Sequence, residues 1–411
     1  MLSFSATLWF HWPRLSVVCL MKESSIPATE SKNSYGLVMV GFSFTIAFML
    51  HLLLFCTAPM VNVIMEEMDL SHTGFGFVFS AAMISLVIFR IPWGLVGDRI
   101  GYLNAFRVAL PLAAGFAVLR AFSTGYTVLL LSQVLLGMSL AMVLPCLPLM
   151  VREWAPNRPG LSTGIYVSGF AAGNATALAL TPQLLKIMDW RQVLLTYSGL
   201  AVLICLLWLA FARSTARGDS GLRFDSFTRL LKDKYVWVLL LFMMASMGSY
   251  DTLATWLPKV LEMKDLNGAL ASLLPLGFFL TGPVVGMVSD RVSNNSTIIA
   301  MSGVVAGVSI VGINYVPFPA VLLCIFLAGF STIGVLTISL AMPTRHQRLS
   351  ATAGSVVGLT SALGNVGPLA MPVLFGFLID VTGTFYASIF TVAALAGVAF
   401  ILGSRVSEQS Q

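Results

Sequence analysis

The chain has 411 residues, of which 57% are hydrophobic and only 10% charged. A soluble domain covers its surface with roughly 25% charged residues, so this composition excludes an ordinary soluble enzyme or binding module. The net charge of +6 is scattered over short segments between apolar stretches and forms no nucleic-acid-binding patch.

Residues 1–35 read as a cytoplasmic segment. The apolar run at its start is broken by His11, Pro13 and Arg14 and lacks a cleavage site of small residues, so it makes a poor signal peptide. Met21-Lys22-Glu23 looks like an ordinary cytoplasmic start, and translation is expected to begin at Met21. About twelve apolar stretches follow, near 36–58, 73–97, 103–122, 126–151, 162–185, 192–212, 236–258, 269–289, 297–316, 319–342, 353–379 and 384–403. Each is long enough, at about 1.5 Å per residue, to cross a hydrocarbon core about 30 Å thick. A large soluble helical protein would need polar outer faces on these helices, and they lack them. The expected fold is an all-α membrane protein of twelve transmembrane helices in two six-helix bundles. The bundles cover 36–212 and 236–403, with a basic linker at 213–235 and a cytoplasmic tail at 404–411.

With the N-terminus in the cytoplasm, sixteen Lys and Arg fall in cytoplasmic segments, six of them at Arg213, Arg217, Arg223, Arg229, Lys232 and Lys234. Five fall in outer segments: Arg120, Lys186, Arg191, Lys259 and Lys264. This positive-inside bias predicts both termini in the cytoplasm and a multi-pass protein of the inner or plasma membrane. Cys56, Cys146, Cys205 and Cys324 lie in or at the ends of spans, where cysteine acts as a small apolar filler. No zinc, metal-ligand or Walker spacing occurs, so no metal, cofactor or ATP-driven pumping is expected.

The strongest pattern is internal. Gly94-Leu95-Val96-Gly97-Asp98-Arg99 ends the second stretch, and Gly286-Met287-Val288-Ser289-Asp290-Arg291 ends the eighth, 192 residues later (290 − 98). Gly173-Asn174, Pro182 and Asp189 recur as Gly364-Asn365, Pro372 and Asp380 at nearly the same offset. Two parallel halves related by an axis along the membrane normal are a transporter architecture, with the substrate between them near the midplane.

These paired turns resemble the loop motifs of the major facilitator superfamily, and the resemblance runs from residue 36 to 403. The basic residues that usually follow Gly101 are Tyr102 and Leu103 here. The resemblance implies a twelve-helix transporter whose turns act as a cytoplasmic latch, with Gly94, Asp98, Arg99, Gly286, Asp290 and Arg291 in that role. Gly169-x-x-x-Gly173 and Gly354-x-x-x-Gly358 are expected to permit close helix crossing. The family often places an arginine in its fourth helix, tied to proton coupling, where Gln133 stands here.

An ionisable side chain inside a span is costly and marks a candidate functional site. Arg90 lies eight residues before Asp98, about 12 Å in from the cytoplasmic edge. Its planar fork of donors suits an anionic substrate. Arg90-Ile91-Pro92-Trp93-Gly94, continuing to Asp98-Arg99, locally resembles the second helix of the nitrate/nitrite porter branch, which implies an arginine grip on the anion. Eight residues before Asp290 stands Gly282, so the other half supplies no second arginine. Asp251 in the seventh stretch and His51 in the first are the candidates to carry a proton, since carboxyl and imidazole groups relay protons inside membranes. Tyr166, Asn174 and Asn365 are the uncharged candidates for substrate contact.

Gly160-Leu161-Ser162-Thr163-Gly164 matches a hydrolase elbow, but here it opens a membrane helix, with Ser162 expected as its N-cap. The residues together imply a monomeric secondary transporter of a small anion, inorganic and nitrate-like or a small carboxylate, moved with protons across the lipid bilayer by alternating access. Export of an amphipathic or drug-like compound is the alternative. A non-transporting sensor is weaker still, since the short linker and tail offer little signalling machinery.

Overall fold

The computed structural model describes residues 28–155, 159–213, 230–291, 295–345 and 353–406, and every regular element among them is helical. The first span, α1 (Ala28–Phe55), ends where Pro59 cannot continue the hydrogen-bond ladder. The chain passes through a 3-10 turn (Ala58–Met60) and resumes as α2 (Val61–Met68). The second and third spans form α3 (His72–Ala121), folded back at Gly101. Gly101 has φ +76, a left-handed backbone that glycine adopts without a Cβ clash. The fourth span is α4 (Tyr126–Val143) and α5 (Cys146–Trp154), interrupted at Pro145. Helices α6 (Pro159–Leu184) and α7 (Trp190–Phe211) complete the first half.

The second half runs through α8 (Lys234–Glu262), a 3-10 turn (Gly268–Ser272), α9 (Leu273–Arg291), α10 (Asn295–Tyr315) and α11 (Ala320–Arg345). The eleventh span is broken at Asn365 into α12 (Ala353–Gly364) and α13 (Val366–Thr382), and α14 (Tyr386–Val406) follows. Nine of the described stretches are long and apolar enough to cross a membrane. Leu203, Leu206, Met301, Val308 and Leu323 stand exposed on their outer faces. Apolar faces of that extent fit lipid and not water.

The duplication is visible in the packing. In the first half α6 lies on α1, with Gly169 and Gly173 against the carbonyls of Phe44 and Phe48; a Cβ at either position would collide with that backbone. In the second half Gly364 and Gly367 press on α8 at Met243 and Met244. Gly358 faces open space, so the close crossing expected there is made six to nine residues further on. Gly137 of α4 on Ala82 has its counterpart in Gly329 of α11 on Leu274. Small residues let these helices approach closely enough for dispersion contacts between backbones to hold them without a hydrophobic drive.

Two sequence expectations need correction. Ser162 is not an N-cap: α6 begins at Pro159, whose missing N–H costs nothing in the first helical position, and Ser162 lies buried one turn in. Arg120 is not in an outer loop. It occupies the last turn of α3 and is fully buried inside the first half. It donates to the Leu53 carbonyl at 2.8 Å and to Gln133 Oε1 at 3.2 Å, and it approaches Cys56 Sγ at 3.3 Å. The break after Phe55 leaves the last carbonyls of α1 short of intrahelical partners, and a cation at that helix end satisfies them.

Candidate functional site

The two halves meet along a seam, and the named contacts across it gather at one end. There Asp380, at the end of α13, accepts from the backbone N–H groups of His72 (2.9 Å) and Thr73 (2.7 Å) and from Thr73 Oγ1 (2.5 Å). His72 Nδ1 sits 2.8 Å from the same carboxylate. Asp380 therefore caps the N-terminus of a helix in the opposite half, where unpaired N–H groups and the helix dipole favour a negative charge. Beside it, Gly76 packs on the Pro372 carbonyl and Gly376 on the His72 carbonyl. Asn62 of α2 is hydrogen-bonded to both Lys259 and Glu262 of α8.

Further into the seam, Asn174 of α6 donates to the Tyr250 hydroxyl of α8 at 3.1 Å. Both side chains are buried, and Asn174 Oδ1 has no partner. Tyr250 stacks edge-on against Phe278 of α9. Asp251, the next residue, is half-buried. Its carboxylate has no ion-pair or hydrogen-bond partner among the described residues, Tyr250 included. Thr255 binds only its backbone carbonyl.

Arg90 lies beyond this level, half-buried on α3. It reaches across the seam to the Ser361 carbonyl of α12 at 3.4 Å, a long bond, and has no ion-pair partner among the described residues. The same carbonyl accepts from the Asn365 side chain at 3.1 Å. Asn365 stands where the eleventh span breaks, so its amide substitutes for the helical N–H that the break displaces. Tyr166 of α6 is within electrostatic range of Arg90. Its ring packs edge-on against Phe170 at 5.9 Å, and Phe170 stacks on His51 at 4.6 Å. His51 Nδ1 is buried without a hydrogen-bond partner.

The structure links His51 to Tyr166 through Phe170. His51 and Asp251 share no hydrogen bond. Asn174 and Asn365 are both engaged by protein groups. The surroundings of Gly94, Asp98, Arg99, Gly286, Asp290 and Arg291 lie outside the described residues, as does Met21. Sequence reasoning missed Arg120, Phe170 and the Asp380 clasp. Arg120 carried a signal, since it falls within the apolar stretch 103–122. The Asp380 clasp carried none, because its partners are more than 300 residues away.

A family model described as Major Facilitator Superfamily matches residues 43–366. The chain belongs to this superfamily. It is 23% identical to a gentisate transporter of Corynebacterium glutamicum, over 83% of this chain and 80% of that protein. It is 24% identical to a hexuronate transporter of Bacillus subtilis, over 81% and 85%. The fold matches a crystal structure of a bacterial homolog to the human lysosomal transporter Spinster, in an inward-facing and unoccupied conformation. That match has a TM-score of 0.72 and 16% identity, covering 94% of this chain and 99% of the other. The protein is a multi-pass membrane transporter rather than an enzyme.

Proposed function

We propose that this chain moves a small organic monoanion by alternating access, with Arg90 engaging the carboxylate and a proton travelling with it. The observation that carries this reading is Arg90 itself: a guanidinium deep in the seam, without an ion-pair partner among the described residues, held by a single long bond to the opposite half. Even a half-buried cation without a counter-charge is unfavourable, and a bound anion supplies the compensation. Gentisate and hexuronate, the named cargoes of two relatives, are both organic acids. An inorganic anion such as nitrate, suggested by the local resemblance around Arg90, is the rival cargo.

Asp251 is the proton carrier in this reading, since it too lacks a partner, with His51 as a second relay. Asp98 and Asp290, with Arg99, Arg291, Gly94 and Gly286, form the latch at the linker end. Asn174, Asn365 and Tyr166 shape the site. The protein acts as a monomer in the cell membrane, its termini and linker in the cytoplasm and its Asp380 end outward.

Uptake of radiolabelled monoanions into proteoliposomes, at two pH values, tests the reading. Organic acids are expected to accumulate down a proton gradient. Arg90→Lys should raise the half-saturating concentration by about tenfold, as the bidentate fork is lost. Asp251→Asn should abolish the pH dependence. Unchanged pH dependence in that variant would remove the proton role, and unchanged affinity in Arg90→Lys would remove the grip.

A further inference from the structure

The charge of Arg120 is not balanced by the protein around it. Its guanidinium is fully buried, yet it has no ion-pair partner among the described residues. The groups it does bind are neutral: the Leu53 carbonyl at 2.8 Å, Gln133 Oε1 at 3.2 Å and Cys56 Sγ at 3.3 Å. The dipole of the broken α1 offers only a fraction of a negative charge. An enclosed cation is costly unless a counter-charge meets it.

Two donors of the same cluster also lack acceptors. Arg120 Nε and Gln133 Nε2 are both buried without a hydrogen-bond partner. The direction of the Gln133 amide is fixed by chemistry, because a guanidinium only donates and must therefore face the amide oxygen. The amide N–H groups are the ones left over, on a side chain that is itself fully buried. The 3.2 Å bond joins the two side chains directly, so both orphaned donors belong to one place in the first half. The acceptors and hydroxyls at hand are engaged. Leu53 O already receives Arg120 and the Cys56 thiol, and Ser123 and Ser132 donate to carbonyls of their own segments.

A water molecule would accept from these donors, but it brings two protons of its own and no charge. A small anion accepts from every side and supplies the missing negative charge. Full burial of both side chains suits a single atom better than a carboxylate or a phosphate.

We infer that the first half holds a monatomic anion of the chloride type, bound by Arg120 Nε and Gln133 Nε2. It ties the last turn of α3 to α4 beside the break in α1. The site is distinct from Arg90, which reaches across the seam to α12, whereas every partner of Arg120 belongs to the first half.

Thermal unfolding of the purified protein in chloride, bromide or methanesulfonate, at equal ionic strength, tests the site. Methanesulfonate is too bulky for an enclosed monatomic site. Chloride and bromide are expected to raise the melting temperature by about 2–5 °C in a saturable way, in wild type and in Arg90→Lys alike. Gln133→Glu supplies a carboxylate in place of the amide, so it should melt at least as high as the chloride-loaded wild type and lose the halide effect. Wild-type crystals grown in bromide should show an anomalous peak in contact with Arg120 Nε, a result that needs no variant to fold. Halide-independent melting of the wild type, or bromide crystals with no peak there, would overturn the inference. A halide effect that survives in Gln133→Glu would overturn it too, and its loss in Arg90→Lys would place the ion in the seam instead.

Discussion

Asp380 and Thr73 belong to opposite halves of the chain, yet the carboxylate of one receives both the backbone N–H and the hydroxyl of the other, at 2.7 and 2.5 Å. Its counterpart in the repeat, Asp189, performs the same chemistry locally: it caps α7, accepting from Arg191 N and forming a capping box with Gln192. One inherited capping aspartate stayed within its half, and the other closes the seam.

Asp380→Ala is therefore expected to open that end of the seam. Charge-assisted bonds at a partly exposed helix end contribute about 1–2 kcal/mol, so the closed-to-open ratio should fall roughly tenfold. Distances between spin labels at Ser71 and Gly383 should gain a longer component in the variant. Asp189→Ala should leave that distance distribution unchanged while lowering thermal stability. An unchanged distribution in Asp380→Ala would mean that the glycine contacts at Gly76 and Gly376 hold the end closed unaided.

Arg120 anchors the break in the first span. Arg120→Met removes the donor to the Leu53 carbonyl and to Gln133, leaving Gln133 Oε1 buried and unpaired and the carbonyl with only the weak Cys56 thiol donor, at a cost of about 2–4 kcal/mol. Arg120→Met combined with Gln133→Leu replaces both polar partners and should recover part of that loss. Thermal unfolding in detergent measures both. Equal stability of the single variant and the wild type would show that the cation contributes nothing net.

Gly173 and Gly358 give opposite expectations. Gly173→Val drives a side chain into the Phe48 backbone and should separate α6 from α1, destabilising by about 2–3 kcal/mol or preventing insertion. Gly358→Ala places a methyl in open space and should be neutral or slightly stabilising, as alanine favours the helix. Yield of folded protein by size-exclusion profile distinguishes them, and equal behaviour would contradict the packing.

Tyr250→Phe removes the hydroxyl that receives the Asn174 amide and leaves a buried amide without a partner. A loss of about 1–3 kcal/mol is expected. Asn174→Leu in the same background should restore part of it, and additive losses in the double variant would argue against coupling between the two residues.

Composition, stretch length and the repeated Gly-x-x-x-Asp-Arg turns were enough to read a twelve-helix, two-half transporter, because a bilayer forces each apolar stretch of about 20 residues into a helix that satisfies its own backbone. Arg90 and Asp251 were legible for a related reason: charge within an apolar run is conspicuous in any sequence. Tertiary structure decided which groups meet. The burial of Arg120, the stacking of Phe170 on His51, and the Asp380 clasp all join residues on different helices. Helical periodicity says which residues share one helix face, but the partner presented to that face depends on where small residues let backbones approach. At Gly173, Gly364 and Gly367 that approach is set by contact with another helix, and no local pattern encodes its register.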